Sequence, residues 1–333
     1  MGDHGLNKKI YLYKHSFSAI KLRNGKAAHQ IAPCESLLQG FQHFGWKPKT
    51  VHFSQARNDP PGIGVMFNFW SKNKPGLSKE MIYKWHMKNN IPLICMDAGA
   101  FNSFMSLTKG KHKQVGWKFH RFGLNSPLGT GNYFNQNSDS KQYEHYIENI
   151  PHFEMRDWQK GKHVLVLAQN PIGFQFEDEL TYNQWIIKTI DTILNNTDRE
   201  VHVRMHPNSK MSFDKGDRKI VKINPNTRVK ISPLQGRLNF FQNLEDVHCC
   251  VTHSSSSAVD TIMHGVPTFV MSDRCLTTAG HVKVWEDNLE DIENLTYYDR
   301  EQWAHNLAYT SYTNEQLASR IVAEKFLKGL NML

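Results

Sequence analysis

The sequence predicts two α/β domains facing one another across a cleft, and three observations carry that expectation. The chain has 333 residues, about twice what one ordinary core takes. Short apolar runs alternate with helix-length segments, the order that builds a parallel sheet. The alternation lapses over residues 104–160 and resumes after Lys162 with an almost unbroken apolar run. The boundaries that follow are 1–158, 159–315 and a C-terminal helix over 316–333 that can return to the first domain.

In the first domain Ile10–Tyr13, Thr50–Phe53, Gly64–Trp70 and Pro92–Met96 are β-rich or apolar runs bounded by turn residues, which predicts strands. Between them, Pro33–Phe44 carries apolar residues at Leu37, Leu38, Phe41 and Phe44, and Ser78–Asn89 opens on a capping serine, which predicts helices. From Ser106 to Lys141, Gly, Asn, Ser, Lys and Gln dominate without a period, and a stretch of that kind in a compact protein is usually functional or mobile.

In the second domain residues 163–168 read as a strand buried on both faces. A loop, Gln169-Asn170-Pro171-Ile172-Gly173, and a helix over Thr181–Asn195 follow. Further strands are expected at Glu200–Met205, Lys219–Ile223, Val229–Ile231, His248–Thr252 and Pro267–Met271, with helices at Phe240–Leu244, Ser257–His264 and Asn314–Leu330. In open sheets of this kind ligands sit beyond the carboxyl ends of the strands, so motifs placed there weigh most.

Composition excludes several classes. Hydrophobic residues make up 39%, which suits a water-soluble globular chain. No apolar run reaches the roughly 18–20 residues of a spanning helix, and the first residues lack the apolar stretch of a signal peptide, so the expected location is cytoplasmic. Five cysteines without C-x-x-C spacing argue against a disulfide framework or a zinc site. No D-x-D stands at a strand end, so no metal is expected. The absence of G-x-x-x-x-G-K-[ST], H-E-x-x-H and G-x-S-x-G disfavours a P-loop kinase, a zinc peptidase and a serine hydrolase of the elbow type.

The net charge of +9 implies an anionic partner without naming it. Lys109, Lys111, Lys113, Lys118 and Arg121 fall close together, interleaved with Trp117 and other rings. That pattern suits a nucleic-acid backbone and an unstacked base, and equally a solvated loop.

Two motifs lie at strand ends. After Glu200–Met205, Pro207 fixes a turn that holds His206, and Arg204, His206 and Lys210 each offer donors to phosphate oxygens; a plain turn also explains the His-Pro pair. After His248–Thr252 come Ser254, Ser255, Ser256 and Ser257, opening a helix that carries Asp260 and ends at Gly265. One serine suffices for a cap, whereas four offer hydroxyls and free N–H groups to an anion.

In their order and spacing, His206-Pro207, the serine run, Asp260 and Gly265-Val266-Pro267 resemble the HP and S/T motifs of GT-B glycosyltransferases, among them bacterial sialyltransferases and the Kdo transferases of capsule synthesis. The resemblance covers roughly residues 162–275. It implies two Rossmann-like domains and a nucleotide-sugar donor, a UDP-sugar first and a CMP-sugar second. The implied donor site comprises Arg204, His206, Pro207, Lys210, Ser254, Ser255, Ser256, Asp260 and Gly173. Asp260 stands where Glu is commoner. Asp97, closing an apolar strand, matches the acidic residue that such enzymes, including phage DNA glycosyltransferases, place as general base; a helix-capping aspartate fits as well. Lys109, Lys111, Lys113, Trp117, Lys118 and Arg121 are the expected acceptor contacts.

Two acceptors follow: a hydroxymethylated pyrimidine such as 5-hydroxymethylcytosine in duplex DNA, favoured by the basic stretch, or an anionic surface glycan receiving a Kdo- or sialic-acid-like sugar. A non-catalytic nucleic-acid-binding module is the reading from a different class.

Overall fold

A computed structural model describes residues 8–14, 28–52, 62–67, 74–101, 118–150, 154–169, 179–206, 226–231 and 240–333. The elements run β1 (Lys9–Lys14), α1 (Ala28–Gln42), β2 (Lys47–His52), β3 (Ile63–Phe67), α2 (Lys74–Lys88), β4 (Leu93–Ala98), β5 (His120–Leu124) and α3 (Lys141–Asn149). Then come β6 (His163–Leu167), α4 (Glu179–Asn196), β7 (Val201–Arg204), β8 (Val229–Ile231), β9 (Val247–Thr252), α5 (Ser257–Met263) and β10 (Thr268–Val270). The chain closes with α6 (Glu301–Ala308), β11 (Ser311–Tyr312), α7 (Asn314–Ala318) and α8 (Arg320–Gly329). The expected strand at Lys219–Ile223 lies outside the described residues, and the expected helix at 240–244 is a single 3-10 turn, Phe241–Leu244.

The chain divides into two α/β units, residues 1–138 with 306–333, and residues 139–305. The division falls at 138/139 rather than 158/159, and the return to the first unit starts at Asn306 rather than residue 316.

In the first unit the sheet order is β11-β5-β4-β3-β1-β2. The strands β2, β1, β3 and β4 are parallel, while β5 and β11 run antiparallel at one edge. The stretch expected to be irregular therefore contains a strand, and its continuation contains α3. Ile10, Leu12, Val65, Ile94 and Met96 from the strands pack with Leu37 and Phe41 of α1 and with Leu317, Val322 and Phe326 of α7 and α8. The helix expected to open at Pro33 starts at Ala28 and carries Pro33 inside it. The helix expected over 314–330 is two: Ser319, extended at φ −74 and ψ 174, ends α7 and caps α8 through its hydroxyl.

His86, on the last turn of α2, has no exposed surface. Its Nδ1 lies 3.2 Å from the Ile91 carbonyl, which only accepts, so Nδ1 carries the proton. Nε2 is then the acceptor for the Tyr13 hydroxyl of β1 at 2.8 Å. The ring fits because residue 64 is glycine: a Cβ there would stand 2.6 Å from it.

In the second unit all described strands are parallel, in the order β10-β9-β6-β7-β8. Val164, Val166, Val203, Cys249 and Val251 pack with Tyr182, Ile186 and Ile190 of α4. Gly265 ends α5 at φ +77. The Val266 N–H reaches the Thr261 carbonyl at 2.9 Å and the Gly265 N–H that of Ile262 at 3.1 Å, a Schellman closure. A Cβ on Gly265 would meet the Asp157 carbonyl oxygen, so only glycine lets the segment before β6 lie against this helix end.

Burial pushes His86 down from 6.5 to about 4, the Ile91 and Pro92 carbonyls opposing. The imidazole is therefore held neutral in the fold and binds a proton more readily when unfolded. Its contribution is present above pH 6.5 and is lost as pH falls toward 4, about 3 kcal/mol in all. Urea midpoints between pH 7 and pH 4.5 should show a steeper loss for the wild type than for His86→Phe; equal slopes would remove His86 as the group responsible.

Candidate functional site

Strand order locates the site before any side chain does. From β6 the chain moves outward through β7 and β8, then returns to the other side of β6 for β9 and β10. The carboxyl ends of β6 and β9 therefore flank the point where the winding reverses, and a crevice opens at such a point.

Gln169, just past β6, spans that point and is 5% exposed. Its Oε1 accepts the Ser254 N–H at 2.6 Å and its Nε2 donates to the Ser254 hydroxyl at 3.2 Å. Thr252, the last residue of β9, donates to the Leu167 carbonyl at 3.4 Å. The ends of β6 and β9 are thus tied through side chains as well as through the ladder.

The four serines are not equivalent. Ser254 is buried and held by Gln169. The Ser255 hydroxyl accepts the Ser257 N–H at 3.2 Å, and the Cys275 thiol donates to the Ser255 carbonyl at 3.3 Å. Ser256 occupies the cap position of α5 yet makes no side-chain capping bond, so capping does not account for its hydroxyl. Ser255, Ser256 and Ser257 are half-buried. His253 lies edge-on to Trp185 of α4 at 5.6 Å, and burial, then Arg274, pushes its imidazole down.

On β7, across β6 from β9, Arg204 is 4% exposed, with its guanidinium 5.0 Å from the Phe240 ring centroid. Burial lowers its pKa from the ordinary value. It pairs in register with Leu167 of β6, and its carbonyl accepts the Ala168 N–H at 2.9 Å. His206, two residues on, is half-buried. The structure thus brings Arg204, His206 and Ser254 to Ser256 onto one edge of one sheet. Pro207, Lys210 and Gly173 lie outside the described residues. Asp260, the expected ribose contact, lies on α5 and has no exposed surface.

In the first unit Asp97 stands at the carboxyl end of β4 with its side chain 25% exposed. Its Oδ1 accepts the Ala98 N–H at 2.8 Å, and its Oδ2 pairs with Arg121 at 3.0 Å. Arg121 is one of the expected acceptor contacts. It is 5% exposed and donates inward, because β5 places it directly opposite Asp97. Lys118 is exposed, whereas Lys109, Lys111, Lys113 and Trp117 lie outside the described residues.

Gln169 and Phe240 were not singled out by the sequence. Gln169 follows an apolar strand as any loop residue does, and its role emerges only from the pairing of β6 with β9, 85 positions apart at the clamp. Among the described residues, no group of three or more His, Cys, Asp or Glu side chains could hold a metal ion. Nor is any described helix long and apolar enough to cross a membrane.

No family model matches the chain, and no curated protein matches it. Among solved structures, the β-Kdo 2,7 transferase KpsC of Thermosulfurimonas dismutans is 8% identical with a TM-score of 0.48, covering 95% of this chain and 99% of that one. A Methanocaldococcus jannaschii UDP-GlcNAc 2-epimerase in complex with UDP-GlcNAc and UDP is 12% identical with a TM-score of 0.34, covering 97% and 99%. A glycotransferase of kitacinnamycin is 8% identical with a TM-score of 0.30, covering 98% and 99%. Likenesses this distant assign no residue and no activity to this chain.

Replacing Gln169 with Ala leaves the buried N–H and hydroxyl of Ser254 without their partner, at a cost of roughly 1–3 kcal/mol. Urea unfolding should show that loss, and amide exchange should quicken at Ser254 to Ser257. Unchanged exchange there would mean that the clamp does not fix the serine turn.

Proposed function

We propose that this chain is a GT-B-type glycosyltransferase that takes a sugar from a nucleotide-sugar donor, with the donor phosphates held at the carboxyl edge of the β10-β9-β6-β7-β8 sheet. One observation carries the reading: Gln169 clamps Ser254 across the reversal point, leaving Ser255 and Ser256 half-exposed on the same carboxyl edge of the sheet as the end of β7, which bears Arg204 and His206. Hydroxyl and ring N–H donors that follow β9 and β7, the strands on either side of β6, match the oxygens of a phosphate, and the buried Arg204 adds positive potential. Pro207, Lys210, Asp260 and Gly173 complete the proposed donor site.

In the transfer, the acceptor oxygen bonds to the anomeric carbon while the bond from that carbon to the donor phosphate oxygen breaks, and the electron pair leaves on the phosphate. Asp97 takes the acceptor's proton. Donors at the phosphate oxygens stabilise the charge that develops there.

For the acceptor, the hydroxyl of 5-hydroxymethylcytosine in DNA draws on Lys109, Lys111, Lys113 and Lys118 for the backbone and on Trp117 for an extruded base. Arg121, the fifth cation of that stretch, is buried, and the alternative acceptor is a surface glycan receiving a Kdo- or sialic-acid-like sugar.

A donor and acceptor screen separates them: UDP- and CMP-sugars against hydroxymethylcytosine DNA, unmodified DNA and glycan acceptors, read by mass spectrometry. Mass gain on the glycan alone eliminates the DNA acceptor, and duplex binding with no transfer to anything supports a binding module instead. His206→Ala should weaken UDP or CMP binding by about tenfold with the fold intact, as loss of one strong hydrogen bond does. Calorimetry showing unchanged affinity would refute the phosphate assignment.

A further inference from the structure

The strand register sets Arg121 of β5 directly opposite Asp97 of β4. Three nitrogens of its guanidinium serve three acceptors: Nη2 donates to Asp97 Oδ2 at 3.0 Å, Nη1 to the Ala98 carbonyl at 2.8 Å and Nε to the Pro127 carbonyl at 2.5 Å. With Oδ1 accepting the Ala98 N–H, both carboxylate oxygens are held from the protein side, while the side chain keeps an exposed edge. The other groups that face this carboxylate are Lys79 of α2, whose ammonium lies 5.6 Å from the Phe67 ring centroid, and the Tyr133 hydroxyl, which donates to the Leu128 carbonyl. Arg121 alone among these cations is ion-paired to Asp97.

Burying a guanidinium is costly, and an apolar pair in its place is often as stable or more so. What an apolar pair cannot supply is a fixed carboxylate plane. We propose that Arg121 is a positioning residue for Asp97, orienting the carboxylate so that its exposed edge receives the proton of an acceptor hydroxyl. A lysine cannot replace it, because a single ammonium on a flexible stem does not present the planar fork that meets three acceptors in fixed directions. The inference rests on Asp97 as the base.

With whichever donor and acceptor pair shows mass gain, Arg121→Ala should lower kcat by about 100-fold, the scale of a misplaced reacting group. The donor KM should stay within about twofold, since the donor site belongs to the other unit. Millimolar guanidinium chloride should restore much of that kcat, and Arg121→Lys should remain well below wild type. A folded Arg121→Ala enzyme with wild-type kcat overturns the proposal, as does a loss that guanidinium does not rescue in a variant that is folded. An active Asp97→Asn variant overturns the base assignment itself, and the proposal with it. A readout free of turnover is the ¹³C carboxylate resonance of Asp97, assigned by its disappearance in Asp97→Asn. It should move in the Arg121 variants and return with guanidinium, and an unmoved resonance overturns the proposal. Should Arg121→Ala not fold, the kcat and resonance of Arg121→Lys decide on the same terms.

Discussion

Parallel pairing is the constraint on which the 139–305 unit depends. Parallel strands cannot be joined by tight turns, so each connection must cross back over the sheet, and the carboxyl ends of the strands collect on one edge. That alone sets Gln169, His206 and the serine turn on a common edge although they are far apart in sequence. Close apposition requires one thing more: β6 and β9 must be neighbours, because the Gln169 amide reaches only as far as Ser254. The apolar runs of β6 and β9, buried on both faces, drive that pairing, and the clamp fixes its last residue.

The first unit departs from parallel order at one edge, and the departure is what gives Asp97 its environment. Were β5 parallel to β4, residue 121 would not stand opposite residue 97. Antiparallel pairing brings the start of β5 beside the end of β4, so a cation and a carboxylate 24 positions apart become cross-strand neighbours. β11, arriving from the far end of the chain, covers β5 through Ser311 and Tyr312, and the Ser311 hydroxyl takes the Ala100 N–H at 3.0 Å. The C-terminal segment thereby forms part of the sheet as well as packing on its helices.

Elements with a clear apolar pattern were legible in the sequence: β1, β3, β4, β6, β9 and α4 lie within a few residues of where their patterns put them. What escaped was whatever depends on a partner distant in sequence. His120-Arg121-Phe122-Gly123-Leu124 does not read as a strand, because a charge and a glycine interrupt it, yet the Asp97 carboxylate and two carbonyls satisfy the charge. Tyr133 fills the space over the glycine, where a Cβ would stand 2.9 Å from its ring. Pro33 reads as a helix start because a proline is at home there, and its place inside α1 shows packing overriding propensity. Ser319 sits inside a periodic apolar stretch, and only its extended backbone reveals two helices. The serine run after β9 stands out in the sequence; the Gln169 clamp that ties it to the end of β6 does not.

Burial also alters what the net charge of +9 means. Arg121, Arg204 and Arg300 are all counted in it and are all buried. Arg300 donates to the Ile262 and Arg156 carbonyls at 2.6 Å each and lies 3.8 Å from the Trp158 ring centroid, tying the segment before β6 to α5. An arginine keeps its charge when buried, so the fold must surround it with carbonyls, carboxylates or ring faces. Lysine responds differently: burial pushes Lys325 down to about 7, and its amine donates to the Tyr309 carbonyl and the Tyr312 hydroxyl. Part of the formal excess of cations is thus enclosed in the fold. A basic total is therefore a weaker pointer to a nucleic-acid surface than the residue count suggests, and the choice of acceptor depends on which cations remain exposed.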